Sequence, residues 1–236
     1  KEEVVQDYDA EIKELNGKIL HVSTKNVLFM FLQIFKICRD GNYDVIHTHT
    51  LFNSCFGIFA GYLCKIPIRI THSHSTGQMK KMNIIMKIYM TVSKKIIKMY
   101  STHFFACGVE SGNYLFGKDF FEKNGKIFKN GIDLSIFYPN YKKDLINKKD
   151  RIQVGCIGSF YKVKNHKFII CMAEWMKKNN IRNVCFNLIG KGNLELDIKK
   201  MIKDKKLEEY FVFWGTITNV YEIMHNLDVL VMPSLY

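Results

Sequence analysis

Residues 151–166 read RIQVGCIGSFYKVKNH, and this stretch decides the fold. An apolar run, Ile152 to Ile157, stops at Gly158. A short polar turn follows, with Lys162 and Lys164, and helical periodicity begins at Asn165. A strand buried on both faces gives such a continuous run, and the glycine lets the chain turn into a helix. The unit then repeats: strand 184–189 (VCFNLI), the turn Gly190-Lys191-Gly192-Asn193, helix 194–205, strand 211–214, helix 220–226 and strand 229–232.

The same alternation precedes it. Strands are expected at 18–22, 44–47, 68–71, 102–107 and 127–128, and helices at 26–40, 52–64 and 81–99. The polar stretch 140–150 (NYKKDLINKKD) interrupts the pattern. The expectation is therefore an α/β chain with two doubly wound parallel-sheet domains facing a cleft: residues 1–140, a linker at 141–150, and residues 151–236. Ligands of open parallel sheets sit at the carboxyl ends of the strands, so polar residues there are the ones to weigh.

Composition narrows the classes. The chain has 236 residues, 47% apolar and 24% charged, enough for a real core. Its net charge of +13 suits nucleic acid, an anionic membrane surface or a phosphorylated substrate, or merely a solvated basic surface. The lysines are spread over both halves without a nucleic-acid motif, so nucleic acid is not an expected partner. The seven cysteines are scattered singly inside apolar runs, the pattern of buried free thiols in a reducing compartment. The first residues are polar and acidic, and the run 27–38 is too short to span a bilayer. A cytoplasmic protein is the expectation.

Two His-x-His pairs stand at strand ends, His47/His49 and His72/His74. On extended chain, both members of a pair point the same way. They suit a catalytic or substrate-binding cluster, or polar capping of loop ends. Zinc takes at least three protein ligands, and neither pair has a neighbouring carboxylate or thiolate to complete a set, so no metal is expected. Around Gly155, Gly158, Ser159, Lys162, Lys164 and Asn165 the glycines, lysines and coming helix suit a diphosphate; neither a Walker A loop nor G-x-G-x-x-G is present. Gly190 and Gly192 form a second such turn. Residues 80–100 (KKMNIIMKIYMTVSKKIIKMY) carry six lysines and no acid. Ile85, Ile88, Tyr89, Val92, Ile96 and Met99 share one helical face, expected to pack on the core, with the basic face solvated or laid on an anionic membrane.

Taken in order, these segments resemble the family-4 glycosyltransferases of the GT-B fold, of the bacterial capsule and exopolysaccharide type. The resemblance is carried by YDAEIKELNGKI (8–19), NYDVIHTHT (42–50), PIRITHSHST (67–76), ACGVESGNYLFG (106–117), FKNGIDLSIF (128–137), GSFYKVKNH (158–166), LIGKGNLE (188–195) and VFWGTITNVYEIMHNLDVLVMPSLY (212–236). It covers nearly the whole chain.

The resemblance implies a retaining transfer from a nucleotide-sugar, with a UDP-sugar the expected donor, to a glycan or lipid-linked acceptor, without an essential metal. His72, His74 and Lys164 would be catalytic. Gly158, Ser159, Lys162, Lys164, Gly190, Gly192, Trp214, Gly215, Thr216 and Ser234 would hold the donor. His47, His49 and Asn130 would meet the acceptor. A place at the inner face of the cell membrane would follow. Three departures stand out. Ser159 replaces the family's usual arginine. An opening strand with a Gly-Gly loop is missing before residue 1. An E-G-x-P segment is missing after Tyr236, so the piece is expected not to catalyse transfer alone. A sugar-nucleotide 2-epimerase would carry carboxylates in the strand-end loops, where this chain has few. A metal-dependent hydrolase built on the four histidines would carry bound metal.

Overall fold

The structure is a computed structural model that describes residues 8–77, 83–138 and 151–235. The chain divides into two compact units, Lys1–Gly131 and Ile132–Tyr236. The expected linker at 141–150 lies outside the described residues.

In the first unit, α1 (Asp9–Glu14) and α2 (Val27–Asp40) precede β1 (Val45–Thr48), α3 (Ser54–Leu63), β2 (Ile68–Ser73), α4 (Ile84–Tyr100), β3 (His103–Ala106), α5 (Val109–Phe116), α6 (Lys118–Asn124) and β4 (Gly125–Ile127). The four strands pair in the order β1-β2-β3-β4, all parallel. Asn26 starts α2 by accepting a 3.0 Å bond from the Phe29 N–H, and Asn83 starts α4 in the same way from Met86. Helix α3 lies close on the sheet because it has glycines there: a Cβ on Gly57 or Gly61 would come within 2.9 Å of Thr48 or Ile46.

The second unit runs β5 (Ile152–Ile157), α7 (His166–Lys178), β6 (Val184–Ile189), α8 (Glu195–Asp204), β7 (Phe211–Gly215), α9 (Val220–Met224) and β8 (Val229–Leu230). Its sheet is parallel in the order β7-β6-β5-β8. The chain builds outward from β5 to β7, then returns to the other side of β5 for β8. That reversal is a topological switch point, where the loops after two neighbouring strands part and leave a crevice. Strand β6, paired on both sides, is buried along its whole length. Phe160, Ile169, Ile198 and Tyr210 fill the core around it.

Four expectations change. Residues 18–22 form no strand; among the described residues they have no ladder partner, and an apolar pair without one does not make a strand. Residues 109–124, left unassigned from sequence, form α5 and α6, divided at Gly117 with φ 84°. Cys171 is exposed, unlike the other cysteines. The apolar stripe of α4 faces outward: Ile85 is 73% exposed and Ile88 57%, with Val92 and Met99 also exposed. The face that packs carries Ser93 and Ile97, with Tyr89, Met90 and Ile96 half-buried beside them. Helix α4 has apolar residues on both faces, so periodicity alone could not choose. Lys94 turns inward, donating a 2.7 Å bond to the Tyr114 carbonyl, and Lys98 lies over the Phe120 ring.

This assignment of faces has a direct test. Ile97 is fully buried, so Ile97→Ala costs about 2–5 kcal/mol of stability. Ile85→Ala changes it by less than about 0.5 kcal/mol. Urea denaturation of the two variants measures both, and equal losses would reverse the faces.

Candidate functional site

In the first unit, the two His-x-His pairs converge. Pairing of Thr48 with Thr71 sets His49 level with His72, so the side chains of His47, His49, His72 and His74 share one face of the sheet. Within each pair the ring centroids are 4.1 Å apart. Across the strands, His47 stacks on His72 at 5.5 Å with planes 2° apart, and His49 Nδ1 lies 2.8 Å from His74 Nε2. One of those two nitrogens donates and the other accepts. The alternating residues Thr48, Thr71 and Ser73 point to the opposite face, where Ser73 donates to the Ser111 carbonyl and Thr71 meets Ser101.

His72 is the buried member, 6% exposed, with Phe105 and Phe128 edge-on to its ring. Neither ring nitrogen has a hydrogen-bond partner. Burial first, then the neighbouring imidazoles, pushes its pKa down to about 4, against a weak opposing pull from the Phe128 backbone. Burial also lowers His47 and His49. At neutral pH His72 is an uncharged imidazole. Asn130 is exposed, two residues past Phe128, and no described contact joins it to the cluster.

In the second unit, the ends of β5, β6 and β7 form a floor of three glycines. The Gly158 N–H donates to Ile189 and the Gly190 N–H to Gly215. Gly190 has φ 136° and Gly215 φ 67°, backbone that favours glycine. A Cβ on Gly190 would strike the Gly158 carbonyl, and one on Gly192 would come within 2.6 Å of the Phe160 backbone. The glycines thus let one loop lie on another before any ligand is considered.

Lys164 stands at the switch point. Its stem lies along Gly158, and among the described residues its ammonium has no hydrogen bond or ion pair. Asn165, in left-handed backbone, donates to the Pro233 carbonyl, and the Leu235 N–H donates to Val163. These bonds bring Ser234 beside the Lys162–Lys164 turn. Ser159 is half-buried there, and Lys162 is exposed. Lys191, not singled out from sequence, reaches over Gly215; its place between two glycines was the signal. Trp214 is not brought to this cluster. It is the unpaired residue of a bulge, and its indole N–H is held 2.9 Å from Asn187 in the middle of β6. Thr216 is exposed beyond β7.

A match to the family described as Glycosyl transferases group 1 spans residues 138–236 and so includes this glycine floor and Lys164. Residues 138–236 are similar to the domain of group 1 glycosyltransferases. Over 97% of its length the chain is 32% identical to EpsF of Bacillus subtilis, covering 62% of that protein. It is 25% identical to the capsular polysaccharide biosynthesis glycosyltransferase CapH of Staphylococcus aureus, covering 63% of it. The chain thus spans about three fifths of the curated relatives it matches. Crystal structures of Anabaena HepE, including one with UDP, share the fold at TM-score 0.76 and 14% identity, over 97% of this chain and 64% of that one. The fold is of the GT-B type.

The second unit holds one further buried imidazole among the described residues. His166 is 4% exposed, stacked on Phe160 at 4.2 Å, with Nε2 unpartnered. Burial first, then the Lys164 charge, lowers its pKa. A histidine lowered in the folded state binds its proton more readily when unfolded, so it contributes stability above about pH 6.5 that is lost as pH falls below it. His166→Phe, which keeps the stack, should therefore flatten the fall in melting temperature between neutral pH and about pH 5. Identical slopes in variant and parent would contradict the buried, neutral assignment.

Proposed function

We propose that this chain is part of a glycosyltransferase that moves a sugar from a nucleotide-sugar, a UDP-sugar, to a glycan or lipid-linked acceptor in cell-surface polysaccharide assembly, with retention of configuration. The observation that carries the proposal is Lys164. It is an ammonium without a partner among the described residues, half-buried at the β5/β8 switch point, beside a floor of glycine backbone.

Breaking the sugar–phosphate bond leaves an oxocarbenium-like sugar and puts negative charge on the departing diphosphate. A fixed cation aimed there stabilises the transition state more than the ground state. Lys164 fills that role, with Lys162 and Lys191 as exposed cations at the same strand ends. Gly158, Ser159, Gly190 and Gly192 offer close backbone, and Gly215, Thr216 and Ser234 line the approach for base and ribose. On the first unit, the roles we assign are acceptor binding for His47, His49 and Asn130 and catalysis for His72 and His74. An uncharged His72 with two unsatisfied nitrogens is suited to accept or donate one hydrogen bond to a hydroxyl. Retention and the nucleotide are supported by the family resemblance. CapH and the Escherichia coli UDP-Gal:alpha-D-GlcNAc-diphosphoundecaprenol alpha-1,3-galactosyltransferase, 23% identical, are transferases rather than epimerases or hydrolases.

The placement we propose is the inner face of the cell membrane. Among the described residues no helix is long and apolar enough to cross a membrane. The outward stripe of α4, Ile85, Ile88, Val92 and Met99, instead combines exposed apolar side chains with Lys87 and Lys95 and no acid. Apolar insertion plus attraction to anionic headgroups is the physics of an interfacial helix.

Lys164→Ala tests the chemistry. Turnover should fall by about 2–4 kcal/mol in barrier, the worth of a charge-assisted contact to the leaving group, with the melting temperature unchanged. Near-normal turnover would sink the assignment. Liposome flotation tests the placement. Binding to vesicles of anionic lipid should weaken steeply with salt and with Ile85→Ser plus Ile88→Ser. Equal recovery on neutral and anionic vesicles would reject it.

A further inference from the structure

The four histidines answer a ligand-counting argument differently once they are seen together. Each pair alone offers two imidazoles and no carboxylate. The register of β1 on β2 merges the pairs, and the ligand nitrogens of His47, His49 and His72 all lie within 4.8 Å of one another. A tetrahedral zinc ion with bonds of about 2.0–2.1 Å holds its ligand nitrogens about 3.4 Å apart. His47 and His49 are exposed, so it is their rings that would move to close that gap. His74, with Nε2 2.8 Å from His49 Nδ1, stands ready as a fourth ligand.

A second observation points the same way. His72 is more than nine-tenths buried, and both its nitrogens lack a partner. A buried polar group left unpaired costs stability, so such a group calls for a ligand. A metal ion bound at one nitrogen would meet that need.

We propose that His47, His49, His72 and His74 form a binding site for a divalent transition-metal ion of the zinc class. Imidazole-only ligation favours zinc, copper, nickel or cobalt over magnesium or calcium, which take oxygen ligands. Two of the ligands are exposed, so the ion has an open approach from solvent. Occupation would withdraw His72 and His74 from substrate, so zinc would inhibit the transfer reaction; this consequence rests on the function proposed above.

The binding itself is read without any substrate. The chain, stripped with chelator and dialysed, is titrated with cobalt(II) alone. We expect the visible bands of tetrahedral cobalt to saturate at a single equivalent and to vanish when zinc is added. His47→Asn and His72→Phe should each weaken binding by more than about tenfold, the lower bound set by losses of merely supporting groups around metals. His47 is exposed, so its variant still decides the matter should His72→Phe fail to fold. Absence of cobalt bands would overturn the site. So would bands that survive the His47 variant, or a thiolate-to-cobalt charge-transfer band, which would place the ion on a cysteine. Cobalt binding without inhibition of transfer would leave the site standing and count against the catalytic roles given to His72 and His74.

Discussion

The loop after β5 lies on the loop after β6, backbone against backbone, and the second unit is organised around that contact. The Phe160 N–H donates to the Lys191 carbonyl, and the Leu194 N–H returns to the Phe160 carbonyl. No Cβ fits between them at Gly190 or Gly192. Phe160, pinned by both bonds, is fully buried and carries the His166 ring on its face. Helix α7 begins at His166, so the same contact fixes where it starts. Lys164 lies on the short turn between Phe160 and His166, with little freedom left. A larger residue at either glycine would lift one loop from the other and move the lysine with it.

The first unit reaches comparable order by a different device. Its sheet separates small hydroxyl residues on one face from rings on the other. Thr48, Thr71 and Ser73 find oxygen partners and let α3 and α5 pack closely. The opposite face carries the four imidazoles, with Phe105 beside them stacked on Phe128 at 5.3 Å. Phe105 and Phe128 stand edge-on to the His72 ring. His47 and His49 are exposed while the central member is shielded from water, and this holds the central imidazole neutral.

Much of this was legible in the sequence, and the failures have physical causes. Uninterrupted apolar runs marked β5 and β6 well, because strands buried on both faces leave no alternation to misread. Gly158 and Gly190 marked the strand ends, and Lys164 was found from them. Convergence of the histidine pairs was not legible, because it depends on the register of β1 against β2, and sequence spacing carries no register between strands joined by a helix. Helices α5 and α6 were left unassigned, and Gly108, Gly112 and Gly117 stand at or within that stretch. The structure shows why one of them is there: a Cβ on Gly112 would strike the Phe121 ring. Trp214 was placed with the donor by the family resemblance; in the structure a bulge turns its indole to Asn187, and bulges leave no reliable mark in sequence.

The net charge of +13 is a poor guide to function, whereas the partnering of individual lysines is a good one. Several lysines of the second unit are engaged. Lys177 donates to the carbonyls of Lys205 and Lys206, Lys205 pairs with Glu174, and Lys199 pairs with Glu195 while lying over Phe213. These contacts close helix ends and bind α7 to α8, so their charge is largely spent on the fold. Lys162, Lys164 and Lys191 differ: among the described residues none has an acceptor, and all three stand at the carboxyl ends of parallel strands. Unpaired cations gathered at one end of a sheet repel, at a cost in stability. An anionic ligand removes that repulsion on binding.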